Sequence, residues 1–326
     1  MLSPLPVNTC ERPKLCYVYA REQHMPELGA DDDNEEWKIS IDRETLTEFA
    51  FLMRIVAPYY LYLASHRQFF FKGQPVESSS IQSPLLLRGH YSSVRTARKR
   101  MHPELQYNCQ KSENTIYQWV SHLTASMHDQ FIKRPLAVVT FGDVRSELAG
   151  MRGAFSNQDD RVFLRTQREY RTGFRFICRT KPDGSRGWWE WSDIVDVTEP
   201  CIVSGLVEFD SKRKYRCYVI DGVVSSVSRF TDYEFESCEE RAFCFSQNFV
   251  DEFCQTDFPA TFVMDIAETT DRGWVVLELH PLGSSARYVN NRFDAMVSDL
   301  YSIDCRMTDR QYRRFQLDVD EGKIIN

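Results

Sequence analysis

Phe262-Val-Met-Asp265-Ile-Ala-Glu268, the turn Thr270-Asp-Arg-Gly273 and the return Trp274-Val-Val-Leu-Glu278-Leu-His280-Pro281 together read as a β-hairpin. A hairpin symmetric about that turn pairs Glu268 with Val275 and Asp265 with Glu278. Directly opposed residues share one face of a sheet about 4.5–5.5 Å apart at Cβ, where like charges repel. Strand parity puts His280 on the same face as Glu278. Phe262, Val263, Met264, Ile266, Val275, Val276 and Leu277 leave few polar positions, so both strands read as buried on both faces. Two acids crowded in such a place call for a cation, and two oxygen ligands beside a third polar group describe a Mg2+ site. The plainer alternative is a solvated pair, or a pair neutralised by an arginine such as Arg216 or Arg229.

A second hairpin lies upstream. Lys214-Tyr-Arg216-Cys-Tyr-Val-Ile220 alternates, turns at Asp221-Gly222 and returns as Val223-Val-Ser-Ser-Val-Ser-Arg229, and Asp-Gly between apolar runs is a strong hairpin signal. Arg216 and Tyr218 then share one face, and Tyr215, Cys217 and Val219 the other. Two roles stay open for Arg216: a salt bridge to Asp265 or Glu278, or a clamp on a phosphate or acyl-phosphate.

The order Tyr215-Arg216-Cys217-Tyr218-Val219, Asp221-Gly222, Ser228-Arg229, Val263-Met-Asp265-Ile and Trp274-Val-Val-Leu-Glu278-Leu-His280-Pro281-Leu-Gly283 resembles the carboxy-terminal half of an ATP-grasp domain. More narrowly it resembles the cell-division-cycle 123 family and a related viral and bacterial branch of ATP-grasp proteins. The resemblance implies an α+β fold of the ATP-grasp type, two α+β lobes clasping a nucleotide, with an amino-terminal α/β extension. It implies ATP and Mg2+ as cofactors, with Asp265 and Glu278 as metal ligands and His280 in the position usually held by asparagine. Histidine prefers softer ions than Mg2+, which marks this position as a departure. Arg216 and Arg229 are the implied catalytic arginines, Arg216 also as a phosphate contact.

In the smaller lobe, Arg165 of Val162-Phe-Leu-Arg165 is the implied basic strand residue that reaches the α-phosphate, and Arg88 of Pro84-Leu-Leu-Leu-Arg88 a second phosphate contact. Ile202, Val203 and Ser204 are implied to form the strand linking the lobes, whose backbone meets the adenine ring. The function implied is ATP-dependent ligation through an acyl-phosphate on a carboxylate or protein substrate. Two rivals stand beside it: an ATP-binding assembly chaperone whose partner is a translation initiation factor, as in the cell-division-cycle 123 family, and a degenerate interaction protein without turnover.

Composition permits this. The chain has 326 residues, 42% hydrophobic and 13% aromatic, which suits a packed globule, and a net charge of -7 argues against bulk nucleic-acid affinity. It has no apolar run of about 18 residues, and Met1-Leu-Ser-Pro-Leu-Pro lacks the charged and apolar regions of a signal peptide, so the expectation is a cytoplasmic protein with no membrane partner. The ten cysteines include no C-x-x-C pair, which suits reduced thiols rather than a zinc site.

Loop signals divide the chain into an amino-terminal lobe (1–80), a small lobe (81–203), a carboxy-terminal lobe with the metal site (204–305) and a tail (306–326). Leu15–Tyr19 reads as a strand. Leu46, Phe49, Ala50 and Met53 read as one helix and Thr115–Met127 as another. Tyr59–Tyr62, Phe69–Phe71 and Trp188-Trp189-Glu190-Trp191 read as packing residues, the basic run Thr96–Arg100 as a solvated face, and the segment after Asp304 as a surface helix or strand.

Overall fold

In the amino-terminal part, β-branched and aromatic runs become strands: Lys14–Tyr19 (β1), Tyr60–Leu63 (β2), Gln68–Phe71 (β3), Gln74–Val76 (β4) and Leu85–Gly89 (β5). They form one sheet in the order β4-β3-β2-β1-β5, with β1 parallel to both β2 and β5. The computed structural model describes residues 14–19, 60–63, 66–71, 74–81, 85–89, 118–140, 162–166, 176–177, 179–180, 186–187, 200–205, 209–229, 239–280, 292–301 and 304–321, with single positions 94, 97, 100–102, 105, 143, 198, 207 and 282. The helix read at Leu46–Met53 and the tryptophans at 188–191 lie outside the described residues.

The chain forms two compact units, 1–111 with 282–286 and 292–326, and 112–281 with 287–291. In the first unit the aromatic runs are core, as their apolar character requires. Tyr60 packs on Phe71 and Tyr62 on Phe69, at ring-centroid distances of 5.0 and 4.6 Å. Val94, Ala97 and Met101, at helical spacing, are buried in the same cluster as Cys16, Val18, Leu85 and Leu87. The segment after Asp304 is a helix, Asp309–Asp320, preceded by another at Phe293–Tyr301. Asp294 is fully buried; Arg292 donates to both its carboxylate oxygens at 2.8 and 2.7 Å, and the Met307 N–H donates at 2.6 Å.

The second unit holds two antiparallel four-stranded sheets. One runs β6-β11-β7-β8, from Leu136–Thr140 (β6), Val162–Thr166 (β7), Phe176–Ile177 (β8) and Pro200–Gly205 (β11); a short pair, Arg179–Thr180 (β9) with Arg186–Gly187 (β10), stands apart. The other runs β13-β12-β14-β15, from Phe209–Ile220 (β12), Val223–Arg229 (β13), Phe262–Thr269 (β14) and Gly273–His280 (β15). Helix α1, Glu239–Phe253, packs on β12 and β13. Its Phe249, Val250 and Phe253 share a buried cluster with Tyr215, Cys217, Val219, Phe262, Met264, Ile266, Val276 and Leu279. One face of the sheet is therefore the apolar floor of the unit, and the opposite face carries the polar side chains.

Local details depart from the sequence reading in two places. The helix expected over Thr115–Met127 is broken into Gln118–Ser121 and Ala125–Met127. Thr124 starts the second piece, its hydroxyl accepting from the Met127 N–H at 3.2 Å, and a π-helical turn, His128–Ile132, ends at Lys133 with φ 54°. The second departure is register. Asp265 does pair with Glu278, but Glu268 pairs with Trp274 rather than Val275. The turn closes on Thr269 and Gly273, the latter at φ +66°, which sets the near half of the hairpin one residue away from symmetry. Leu277 is then the extra residue of a β-bulge, and beyond it the symmetric register returns as Asp265–Glu278, Met264–Leu279 and Val263–His280. The Asp221-Gly222 turn behaves as expected, with both residues at positive φ (50° and 79°) as a type I′ hairpin requires.

Candidate functional site

The polar face is built by register. Arg216 on β12 lies between Ser228 on β13 and Asp265 on β14, and Asp265 faces Glu278 on β15. In the next row of that face, Ser226, Tyr218, Val263 and His280 stand side by side. Lys214, two residues before Arg216, shares its parity and completes the cationic side. The structure thus brings Asp265, Glu278 and His280 together, one ligand atom from each lying within 4.8 Å of the others.

Asp265 is the hub. It is 1% exposed, and Arg216 grips it at two points, Nε to Oδ1 at 2.7 Å and Nη2 to Oδ2 at 2.9 Å. Lys214 Nζ stands 3.3 Å and His280 Nε2 3.4 Å from Oδ2, and the same Nε2 is 3.2 Å from Glu278 Oε2. Burial alone would raise the Asp265 carboxyl; Arg216 first, then Lys214 and the hydrogen bond from His280, outweigh it and hold it well below the usual carboxylate range. Of the two roles open for Arg216, this structure shows the salt bridge. Two cations answer two acids, so Arg216 and Lys214 relieve the crowding expected at Asp265 and Glu278.

The donor set nevertheless fits a divalent cation. Two carboxylates and an imidazole converge, and the Glu278 side chain keeps 25% of its exposure. Ser226 and Ser228 add buried hydroxyls without a hydrogen-bond partner, beside Tyr218 and Arg216. Buried orphan hydroxyls are uncommon in folded proteins and mark a place where a further polar group is accommodated.

The other expected residues are placed elsewhere. Arg229, one residue past Ser228, falls on the opposite face, where its Nε meets Glu239 of α1 at 3.7 Å; it is not brought to the acids. Strand parity carries that signal, since Ser228 and Arg229 cannot share a face. Arg88 belongs to the first unit, where it is buried and donates to the Leu282 carbonyl. Arg165 lies on β7 opposite Ile202. Ile202, Val203 and Ser204 are not an open connector: they are the middle of β11, laddered to β6 on one edge and β7 on the other, and Ile202 is in the core. Their amides and carbonyls are committed to the sheet, so an adenine ring would have to be met elsewhere.

One residue had no sequence signal. Arg134, buried between the π-turn and β6, reaches across to β15 and donates to the carbonyls of Val276 at 2.7 Å and Leu277 at 2.9 Å. Burial lowers its pKa to about 10 against the opposing pull of Glu278. A side chain that binds backbone carbonyls leaves no pattern to read in the residues it serves.

This architecture is the ATP-grasp fold. Residues 131–292 match a family model described as an ATP-grasp domain, the second family of its clade. Among solved structures, D-cycloserine synthetase DcsG is 12% identical, covering 95% of this chain and 99% of that chain, with a TM-score of 0.51. The D-alanine-D-alanine ligase from Coxiella burnetii is 8% identical over 95% of this chain and 99% of its own, with a TM-score of 0.50. At these identities the likeness is one of fold. Comparison with curated proteins found no match. Among the described residues no helix is long and apolar enough to cross a membrane.

Proposed function

We propose that this protein binds ATP with Mg2+ and ligates a carboxylate through an acyl-phosphate. The observation that carries the reading is the convergence of Asp265, Glu278 and His280 beside Arg216 and Lys214 on one face of an ATP-grasp sheet. Asp265, Glu278 and His280 would hold the divalent ion, which when bound supplies positive charge to the phosphate oxygens. Arg216 and Lys214 present their cations to the same space, where a transferring phosphoryl group would draw them from Asp265. Arg165 remains the small-lobe phosphate contact in this scheme. Two fold relatives are themselves named as a synthetase and a ligase.

The test is calorimetry with ATP and Mg2+, followed by incubation with carboxylate pools and hydroxylamine. Binding together with ATP-dependent hydroxamate formation is expected. Absence of nucleotide binding would refute the reading outright.

A second reading is binding without turnover. The observation favouring it is His280, which stands where the resembling families carry asparagine, in a face already neutralised by Arg216 and Lys214. Its most specific form is the assembly chaperone for a translation initiation factor, supported by the Pro281-Leu-Gly283 sequence after the acidic strand. Nucleotide binding without hydroxamate, together with co-purification of an initiation-factor subunit, would favour it.

A further inference from the structure

The pairing of Asp265 with Glu278 depends on one backbone irregularity. On the turn side of the hairpin, Ile266 pairs with Val276 and Ala267 with Val275. Continued without interruption, that register would set Glu278 opposite Met264, whose side chain lies in the apolar cluster under α1. The acid would then face the core. The extra residue at Leu277 reverses the parity and turns Glu278 to the polar face.

A bulge takes backbone groups out of the ladder, and buried carbonyls without donors are costly. Arg134 supplies the donors. Its Nη1 serves the Val276 carbonyl at 2.7 Å and its Nη2 the Leu277 carbonyl at 2.9 Å, while Nη1 also reaches the Ile132 carbonyl at 3.1 Å. The planar guanidinium presents several N–H groups in a fixed fork, which a lysine ammonium does not reproduce. We propose that Arg134 is a positioning residue for the candidate metal centre: it locks the Leu277 bulge, and the bulge aims Glu278 at Asp265 and His280. This rests on the reading of those three residues as a divalent-cation site.

A nearby clasp provides the control. Lys133 Nζ donates to the Arg272 carbonyl at 2.9 Å and Arg272 Nη1 to the Lys133 carbonyl at 3.0 Å, tying the same segment to the hairpin tip but not to the bulge. The probe is Mn2+, which takes the same oxygen and nitrogen ligands, with binding to the full chain read by electron paramagnetic resonance and stability read as Tm. Arg134→Gln is expected to weaken Mn2+ binding by about tenfold or more, the usual effect of losing a group that orients a ligand. Arg134→Lys should fall between Arg134→Gln and the parent. Lys133→Ala should lower Tm yet leave Mn2+ affinity unchanged.

Parent-like affinity in Arg134→Gln, or an equal loss in Lys133→Ala, would overturn the proposal. Should Arg134→Gln not fold, Arg134→Lys decides, with parent-like affinity again counting against it. Glu278→Gln separates the two levels of inference: if it binds Mn2+ like the parent, the cation site itself is wrong, whatever Arg134 does.

Discussion

Arg216 and Asp265 form a buried fork, with contacts of 2.7 and 2.9 Å, in a row that also contains Ser228 and Glu278. Together with Lys214 it makes the acidic face self-neutralising. In the proposed function, phosphate and divalent cation therefore suit arrival together: each brings the counter-charge for what the other displaces.

Asp265→Asn should be severely destabilising. It leaves Arg216 and Lys214 buried without their shared counter-charge, and removing one partner of a buried pair costs about 3–5 kcal/mol. Urea unfolding followed by tryptophan fluorescence measures the change. A loss no larger than that of a surface substitution would mean the fork contributes nothing.

The same carboxylate predicts an acid limb. Its folded pKa is depressed below the unfolded value, so the native state binds fewer protons there than the unfolded state. The stabilisation is complete above the ordinary carboxyl pKa of about 4 and is lost as pH falls from there toward the folded value. Unfolding free energies measured from neutral to acid pH should fall in that window. Asp265→Asn should flatten the fall.

Glu278→Gln should separate function from folding. The side chain is a quarter exposed, so the expected stability change is under about 1 kcal/mol, while the divalent-cation affinity should collapse. Calorimetry with Mn2+ and a melting curve on the same sample are sufficient.

His280→Asn tests ion choice. An imidazole nitrogen favours borderline ions over Mg2+, so the parent should prefer Mn2+ to Mg2+ more strongly than the variant does. Competition between the two ions in the presence of ATP reads the ratio; an identical ratio would remove His280 from the ligand set.

Ser228→Ala should be neutral or stabilising in the protein without nucleotide, because it deletes a fully buried hydroxyl that has no partner. Thermal melts with and without ATP and Mg2+ distinguish the outcomes. If the hydroxyl serves a bound group, the gain conferred by ligand should shrink in the variant.

Much of this site was legible because it obeys parity. The Asp221-Gly222 turn, the burial of β14 and β15 and the facing of Asp265 with Glu278 all follow from alternation and turn chemistry. Lys214 was legible by the same rule, two residues from Arg216, and Arg229 was excludable by it. What stayed hidden is backbone geometry. The Leu277 bulge moves Glu268 from Val275 to Trp274, and nothing in the side chains of β15 announces it. Ile202–Ser204 look like a linking strand by composition, yet only pairing partners reveal that both edges are taken.

Cys217 lies fully buried between the sheet and α1, its sulfur 3.1 Å from Ser246 Oγ, and burial pushes its thiol up to about 12. Cys244, on the same helix, is exposed. At neutral pH an alkylating reagent should therefore label Cys244 promptly and Cys217 only when the helix lifts from its floor. The interval between the two modifications is a built-in clock for the opening of that layer, readable by mass spectrometry with nucleotide present or absent.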